Sequence, residues 1–233
     1  MQSHKYTIQP VCTANSCRSK MAQAILDSRL AKSGLEDTIQ TKSSGLYVDN
    51  LRNWGSSAYF PMGTILKVLR AASTNGIHAM TEYQDFIDVV LANESEATGK
   101  HNRDEIYKME LNKAASRVYS LLAQFDKAST MLALAEHGLV YPGCDPLQFV
   151  DDGSDLYVPM DQKHVDTVNQ TVQDPKKVVP FDIFIPGRKL ESSLLSITYS
   201  DGNLDLLKFR DLFNKVEEGC CSLLSYVNDK VSQ

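Results

Sequence analysis

The chain has 233 residues, 42% of them apolar and 23% charged, with a formal net charge of −5. That length can bury a full core, and the composition is globular rather than fibrous or disordered. Acidic charge spread over small clusters offers no basic face for nucleic acid, and no apolar run approaches the ~20 residues of a membrane span.

The first residues, MQSHKYTIQPV, lack the cationic head and apolar run of a secretory signal. Five cysteines, Cys12, Cys17, Cys144, Cys220 and Cys221, make an odd set in a mid-sized chain. Free thiols in a reducing cytoplasm fit that set better than a disulfide framework. Tyr6 to Cys12 reads as a short strand ending in a loop of small residues. From Arg18 a helix is predicted, with Met21, Ala22, Ile25 and Leu26 on one face. Thr38 to Ser44 reads as a second strand stopped by Gly45. A loop carrying Trp54 follows, then a helix over about 64–72 closed by Asn75-Gly76. This order points to a parallel sheet covered by helices.

The middle of the chain breaks the alternation. Tyr83, Phe86, Ile87, Val90 and Leu91 have helical spacing, and after a polar break a long helical stretch runs from about Glu105 to His137. So much helix in succession reads as an inserted helical arm. Alternation then resumes. Ser154 to Met160 reads as a strand, Gln162 to Val172 as a helix, and Phe181 to Pro186 as a short strand. Leu194 to Ser200 reads as another strand, and a final helix carries Phe209, Leu212, Phe213, Val216, Cys220, Leu223, Leu224 and Val227 as an apolar stripe.

The stretch VCTANSCRS is where chemistry concentrates. A zinc site would need two further ligands at suitable spacing, and none of the histidines pairs locally with a cysteine. A disulfide between Cys12 and Cys17 does not suit a reducing compartment. A plain turn explains Asn15 and Ser16 but leaves the thiol and Arg18 without a purpose. A nucleophile site accounts for more residues. A loop of Thr13, Ala14, Asn15 and Ser16 at a helix N-terminus can turn its amides inward as an anion nest. Such a nest favours a thiolate. Arg18 can grip two phosphate oxygens through its planar fork, and Ser19 can donate a hydrogen bond to the sulfur.

The longer string CTANSCRSKMAQAIL resembles the signature loop and first helix of the low-molecular-weight protein tyrosine phosphatases and their arsenate reductase relatives. Cys12, Asn15, Cys17, Arg18, Ser19, Met21 and Ala22 match the family pattern, while Ala14 replaces a glycine and Lys20 a proline. Ser43-Ser44-Gly45 resembles the Ser-Ala-Gly after the family's second strand, whose serine supports the loop asparagine. SDLYVPMDQKHVDTV resembles its third strand and following helix, and Trp54 falls in the loop that lines the pocket mouth. The resemblance implies an α/β three-layer sandwich with a four-stranded parallel sheet. Residues 1–77 and 148–233 would form it, with 78–147 as the helical insertion.

It also implies a phosphatase acting on a phosphomonoester, protein phosphotyrosine in the first instance, with no metal and no cofactor. Cys12 would be the nucleophile and Arg18 the phosphate grip. Thr13, Ala14, Asn15, Ser16, Cys17, Ser19 and Trp54 would bind substrate. Cys17 would either trap oxidised Cys12 as a reversible disulfide or simply fill space.

The resemblance also calls for an aspartate before the final helix as proton donor. Asp201, at the end of LLSITYS, has the expected spacing, although Gly202 stands where the family has proline. Asp174, in one of two Asp-Pro pairs, is the reserve; both pairs also read as punctuation. Two other readings remain open. A thioredoxin-coupled arsenate reductase would need relay cysteines after the third strand, where Met160 to Gln173 has none. A catalytically weak phosphate-binding protein would use the arm as the contact surface for a protein partner.

Overall fold

The computed structural model describes residues 4–49, 127–143, 145–187, 190 and 206–231. All of these except Asp49 belong to one of two compact units, formed by Met1–Val48, Asp126–Ser193 and Leu206–Gln233. Trp54, Cys144, Asp201, the helices expected between residues 64 and 126 and the strand expected over Leu194–Ser200 lie outside the described residues.

The sheet is four-stranded and entirely parallel, and β1 (Tyr6–Cys12) is its centre. Neighbours on both edges bury β1 along nearly its whole length, including Thr7 and Gln9. Gln9 is tolerated there because its amide donates to Ser44 Oγ and its carbonyl oxygen accepts from Ser154 Oγ, both at 2.8 Å. One edge of β1 takes β2 (Ile39–Thr41) and then β3 (Ser44–Gly45); the other takes β4 (Leu156–Pro159). Residues 147–149 run along β3, with Gly45 N–H donating to Leu147 O and Phe149 N–H to Gly45 O. Beyond β4, Val178 bridges Tyr157 in parallel.

The second strand predicted over 38–44 forms as two pieces in a single register, Ile8 opposite Thr41 and Val11 opposite Ser44. The cause is Pro10. Even-numbered residues of β1 address this edge: Tyr6 N–H donates to Thr38 O, and the carbonyls of Ile8 and Cys12 accept from Lys42 and Leu46. The amide due at position 10 is missing, because proline has none. The ladder therefore loses a rung opposite Lys42 and Ser43, and Ser43 turns its side chain to other partners.

Helix α1 (Arg18–Ser33) buries Met21, Ala22, Ile25, Leu26 and Leu30 against β1 and the last helix. It ends where Gly34 takes a left-handed φ of 66° and returns its N–H to the last turn. A second helix, α2, occupies 127–136. It buries Ala133 and Leu134, and the next residue, His137, stacks on Phe213 at 3.8 Å. Helix α3 (Gln162–Thr171) follows β4, and its Val168 packs with Val11, Leu46, Phe149, Tyr157 and Val172. Helix α4 (Leu206–Val231) buries Phe209, Leu212, Phe213, Val216, Cys220, Leu223 and Val227 as its periodicity predicts.

The strand expected over Phe181–Pro186 is instead a 3-10 turn, Phe181–Phe184. An alternating strand would bury residues 181, 183 and 185 together, but Ile183 is 55% exposed while Phe181 and Phe184 are buried three apart. Pro180 opens the turn, and the Phe181 ring drives it onto α4 at Gly219. A Cβ on Gly219 would meet Phe181 Cζ at 2.3 Å. Gly219→Ala gains ~1 kcal/mol of helix propensity but overpacks a closed site by about 1–3 kcal/mol. The expected outcome is a net loss of stability in chemical denaturation, where an ordinary helix glycine would show a gain.

Candidate active site

Cys12 is the last residue of β1 and Arg18 the first of α1, so the loop between them lies at the C-terminal edge of the sheet. Crevices at that edge are where parallel α/β folds bind ligands. The loop's carbonyls are taken up from outside. Leu46 N–H donates to Cys12 O, Tyr47 N–H to Thr13 O, the Tyr141 hydroxyl to Ser16 O and Met21 N–H to Cys17 O. In a planar trans peptide the following N–H points away from the carbonyl. The amides of Thr13, Ala14, Cys17 and Arg18 are thereby directed away from those neighbours, as an anion cradle requires.

The loop turns at Asn15, the one described non-glycine residue with positive φ, 52°. Asparagine is among the few residues that accept this conformation. Its completely buried side chain is fully used. Nδ2 donates to Ser19 Oγ at 3.0 Å and Ser43 Oγ at 2.9 Å, while Oδ1 accepts from Leu147 N–H at 2.9 Å. Ser43 Oγ in turn donates to Gln23 Oε1 at 2.7 Å. Ser19 Oγ also lies 3.0 Å from Cys12 Sγ. Because Ser19 already accepts from Asn15, its own hydrogen is best placed on the sulfur.

Arg18 is buried and donates from Nη1 to Asp161 Oδ2 at 3.3 Å. Asp161 does double duty, since its Oδ1 caps α3 by accepting from Lys163 N–H. Ala14, Ser16 and Cys17 are buried in the loop, and Ser16 Oγ has no hydrogen-bond partner. Cys12 and Cys17 are not joined by a disulfide. At the rim, Tyr47 is 41% exposed and tied to the loop only through its backbone. Lys20, buried where the family carries proline, reaches to 5.9 Å from the Tyr141 ring, and Lys127 to 5.7 Å.

The structure thus brings Cys12, Thr13, Ala14, Asn15, Ser16, Cys17, Arg18 and Ser19 together. It sets Asp174 apart, as an exposed N-cap accepting from Lys176 N–H. Two residues without a role in the sequence reading stand at the site. Asp161 was legible only as part of Met-Asp, and His164 carried no signal. His164 is 5% exposed, with Nε2 3.0 Å from Thr13 Oγ1. Burial, then the Arg18 charge, push its pKa down to about 4, with Asp161 pulling the other way.

Register identifies a third carboxylate. Val11 pairs with Pro159 and Tyr157 with Val178, so two residues on, Pro180 stands level with Pro159. The 3-10 turn that follows carries Asp182, so this carboxylate leaves the sheet on the side toward which β1 ends at Cys12.

Fold and loop together define a parallel α/β class in which a cysteine and an arginine stand at the two ends of one strand-to-helix loop. The family model of the low molecular weight phosphotyrosine protein phosphatases matches residues 7–131, more than half the chain, and the protein belongs to that family. It is a low-molecular-weight cysteine-dependent phosphatase. The match runs through most of the stretch expected to be an insertion. YfkJ from Bacillus subtilis aligns over 99% of both chains at 16% identity, with a TM-score of 0.53. Wzb from Vibrio vulnificus, solved with benzylphosphonate, covers 96% of this chain and 99% of its own at 12% identity and 0.52. A YwlE mutant from Bacillus subtilis covers 96% and 99% at 14% identity and 0.51. At these identities the likeness is one of fold. Comparison with curated protein sequences returned no match.

Two outcomes follow. A Cβ on Gly45 would stand 2.6 Å from Asn15 N and 2.8 Å from Ala14 C and Thr13 O, all backbone. Gly45→Ala should cost about 1–3 kcal/mol in denaturation and, by displacing the loop, roughly tenfold or more in phosphatase kcat/KM. For His164 the folded pKa is depressed below 6.5, so the unfolded chain binds the proton first. Its contribution to stability is present above pH 6.5 and lost as pH falls toward about 4. The melting temperature of His164→Gln should fall less steeply than wild type across that window.

Proposed function

We propose that the protein hydrolyses phosphomonoesters, protein phosphotyrosine in the first instance, through a phosphocysteine on Cys12. The observation that carries this reading is Cys12 Sγ at 3.0 Å from Ser19 Oγ, in a loop whose last residue, Arg18, is held by Asp161. The Ser19 hydroxyl donates to the thiolate and keeps it aimed. The sulfur attacks phosphorus in line with the leaving group, the P–O ester bond breaks, and an acid returns a proton to the departing oxygen. Arg18 and the loop amides hold the equatorial oxygens as charge redistributes. Water, deprotonated by the same carboxylate, then attacks phosphorus, the S–P bond breaks, and inorganic phosphate and thiolate are regenerated.

Two carboxylates contend for the acid. Asp201 has the spacing of the family's donor, and Asp182 has a position supported by strand register. Asp174 is the weaker third, because its carboxylate is committed to a surface turn. The aromatic wall beside the ester falls to Tyr47 and Trp54. Of the expected insertion, 78–147, the part before residue 127 is read as the contact surface for a protein partner, since Tyr141 and Leu147 hold the loop. A solved YwlE mutant described as an arginine phosphatase carries a phosphorylated active-site serine, which is the same covalent chemistry on a substituted nucleophile.

The test compares hydrolysis of phosphotyrosine peptides, phosphoarginine peptides and aryl phosphates by wild type, Cys12→Ser, Arg18→Ala, Asp201→Asn, Asp182→Asn and Asp174→Asn. Cys12→Ser and Arg18→Ala should lose at least roughly a thousandfold in kcat. One aspartate variant should lose activity most on esters with poor leaving groups, the signature of a missing acid. Turnover that survives Cys12→Ser would sink the proposal. Thioredoxin-dependent arsenate reduction would replace it with the reductase reading, and phosphate binding without turnover with a binding role.

A further inference from the structure

We propose that His164 is a positioning residue of the phosphate loop, its imidazole fixing Thr13 while Asp161, one turn earlier on α3, fixes Arg18. The proposal rests on the phosphatase reading and deepens it. The loop leaves the sheet at Cys12 and enters α1 at Arg18. Its two flanks are held by residues three apart at the start of a single helix, which share a face. Asp161 Oδ2 takes the Arg18 guanidinium at 3.3 Å. His164 Nε2 meets Thr13 Oγ1 at 3.0 Å.

The tautomer follows from burial. His164 Nδ1 is buried without a hydrogen-bond partner. An N–H there would be an orphan donor, a costlier arrangement than a bare lone pair. The proton therefore sits on Nε2, which donates to Thr13 Oγ1 and leaves the Thr13 hydrogen to point away from the imidazole. The charged groups that act on the ring are Arg18 of the loop and Asp161 and Lys163 of its own helix. Burial and the two cations together keep it neutral at ordinary pH, with a pKa pushed down to about 4. A neutral donor holds Thr13 without adding a charge to compete with Arg18 for Asp161. Thr13 also carries the first amide of the cradle, so a loosened Thr13 lets that amide rotate off the phosphate.

The experiment measures kcat, KM and competitive inhibition by inorganic phosphate for Thr13→Val, His164→Leu, His164→Gln and the double variant Thr13→Val/His164→Leu, each checked for folding by circular dichroism. Glutamine reaches as far as imidazole and donates an N–H without titrating. Thr13→Val and His164→Leu should each raise KM and the phosphate inhibition constant about fivefold, one lost hydrogen bond, with a smaller change in kcat. The double variant should be no worse than either single variant. His164→Gln should restore both constants to within about twofold of wild type, as replacement of a single donor predicts. Unchanged constants in a folded His164→Leu, multiplied effects in the double variant, or a folded His164→Gln as impaired as His164→Leu would each overturn the proposal. Should His164→Leu fail to fold, Thr13→Val and His164→Gln decide it by the same criteria. Phosphate binding to these variants in a Cys12→Ser background, read by calorimetry, tests the clamp even if the phosphocysteine reading fails.

Discussion

Asn15 in its left-handed conformation is the constraint on which the site depends. A loop that must leave β1 and enter α1 while facing its amides inward has to reverse its backbone, and here it does so at this residue. Most side chains would oppose that conformation by about 1 kcal/mol or more. Asparagine accepts it, and its amide then bonds Ser19, Ser43 and the Leu147 amide. These partners belong to α1, to the gap between β2 and β3, and to the strand-like segment at the sheet's outer edge. The turn is thus held by three segments far apart in sequence, and Ser19, whose hydroxyl lies 3.0 Å from Cys12 Sγ, is in one of them.

The same economy appears in the sheet. Pro10 removes a rung from the ladder, and beside that gap the Ser43 hydroxyl accepts from Asn15 and donates to Gln23. Gly45 then brings β3 so close to the loop that a methyl group would overlap its backbone. What looks like weak pairing in the second strand is the way the sheet makes room for the loop. On the other side α3 supplies Asp161 to Arg18 and His164 to Thr13. A buried ion pair such as Arg18–Asp161 contributes little net stability after desolvation. Its value here is orientation: the guanidinium is presented in one direction before any substrate arrives.

Much of this was legible in the sequence where physical chemistry acts locally. The apolar spacing of α1 and α4 follows from residues within a turn of each other. The loop was legible for a different reason: a thiol, small residues and an arginine at that spacing have few other chemical uses. Phe181–Phe184 misled because an apolar run this short fits a strand or a 3-10 turn before its packing is known. Only packing against Gly219 of α4 separates the two. The two-piece second strand was hidden because Pro10, which splits it, lies on its neighbour.

By itself the amino-acid sequence determined the parallel α/β class, the placement of Cys12 and Arg18 at the two ends of one turn, and the phosphatase family that the turn's residues resemble. These depend on short-range periodicity and on the reactivity of named groups. Only the tertiary structure decided which distant residues hold that turn. His164, Leu147 and Tyr141 lie more than a hundred residues from the loop atoms they bond, and no local pattern marks them. His164 arrives because β1 and β4 run side by side in one register, delivering the start of α3 to the edge at which β1 ends, and Leu147 because residues 147–149 run along β3.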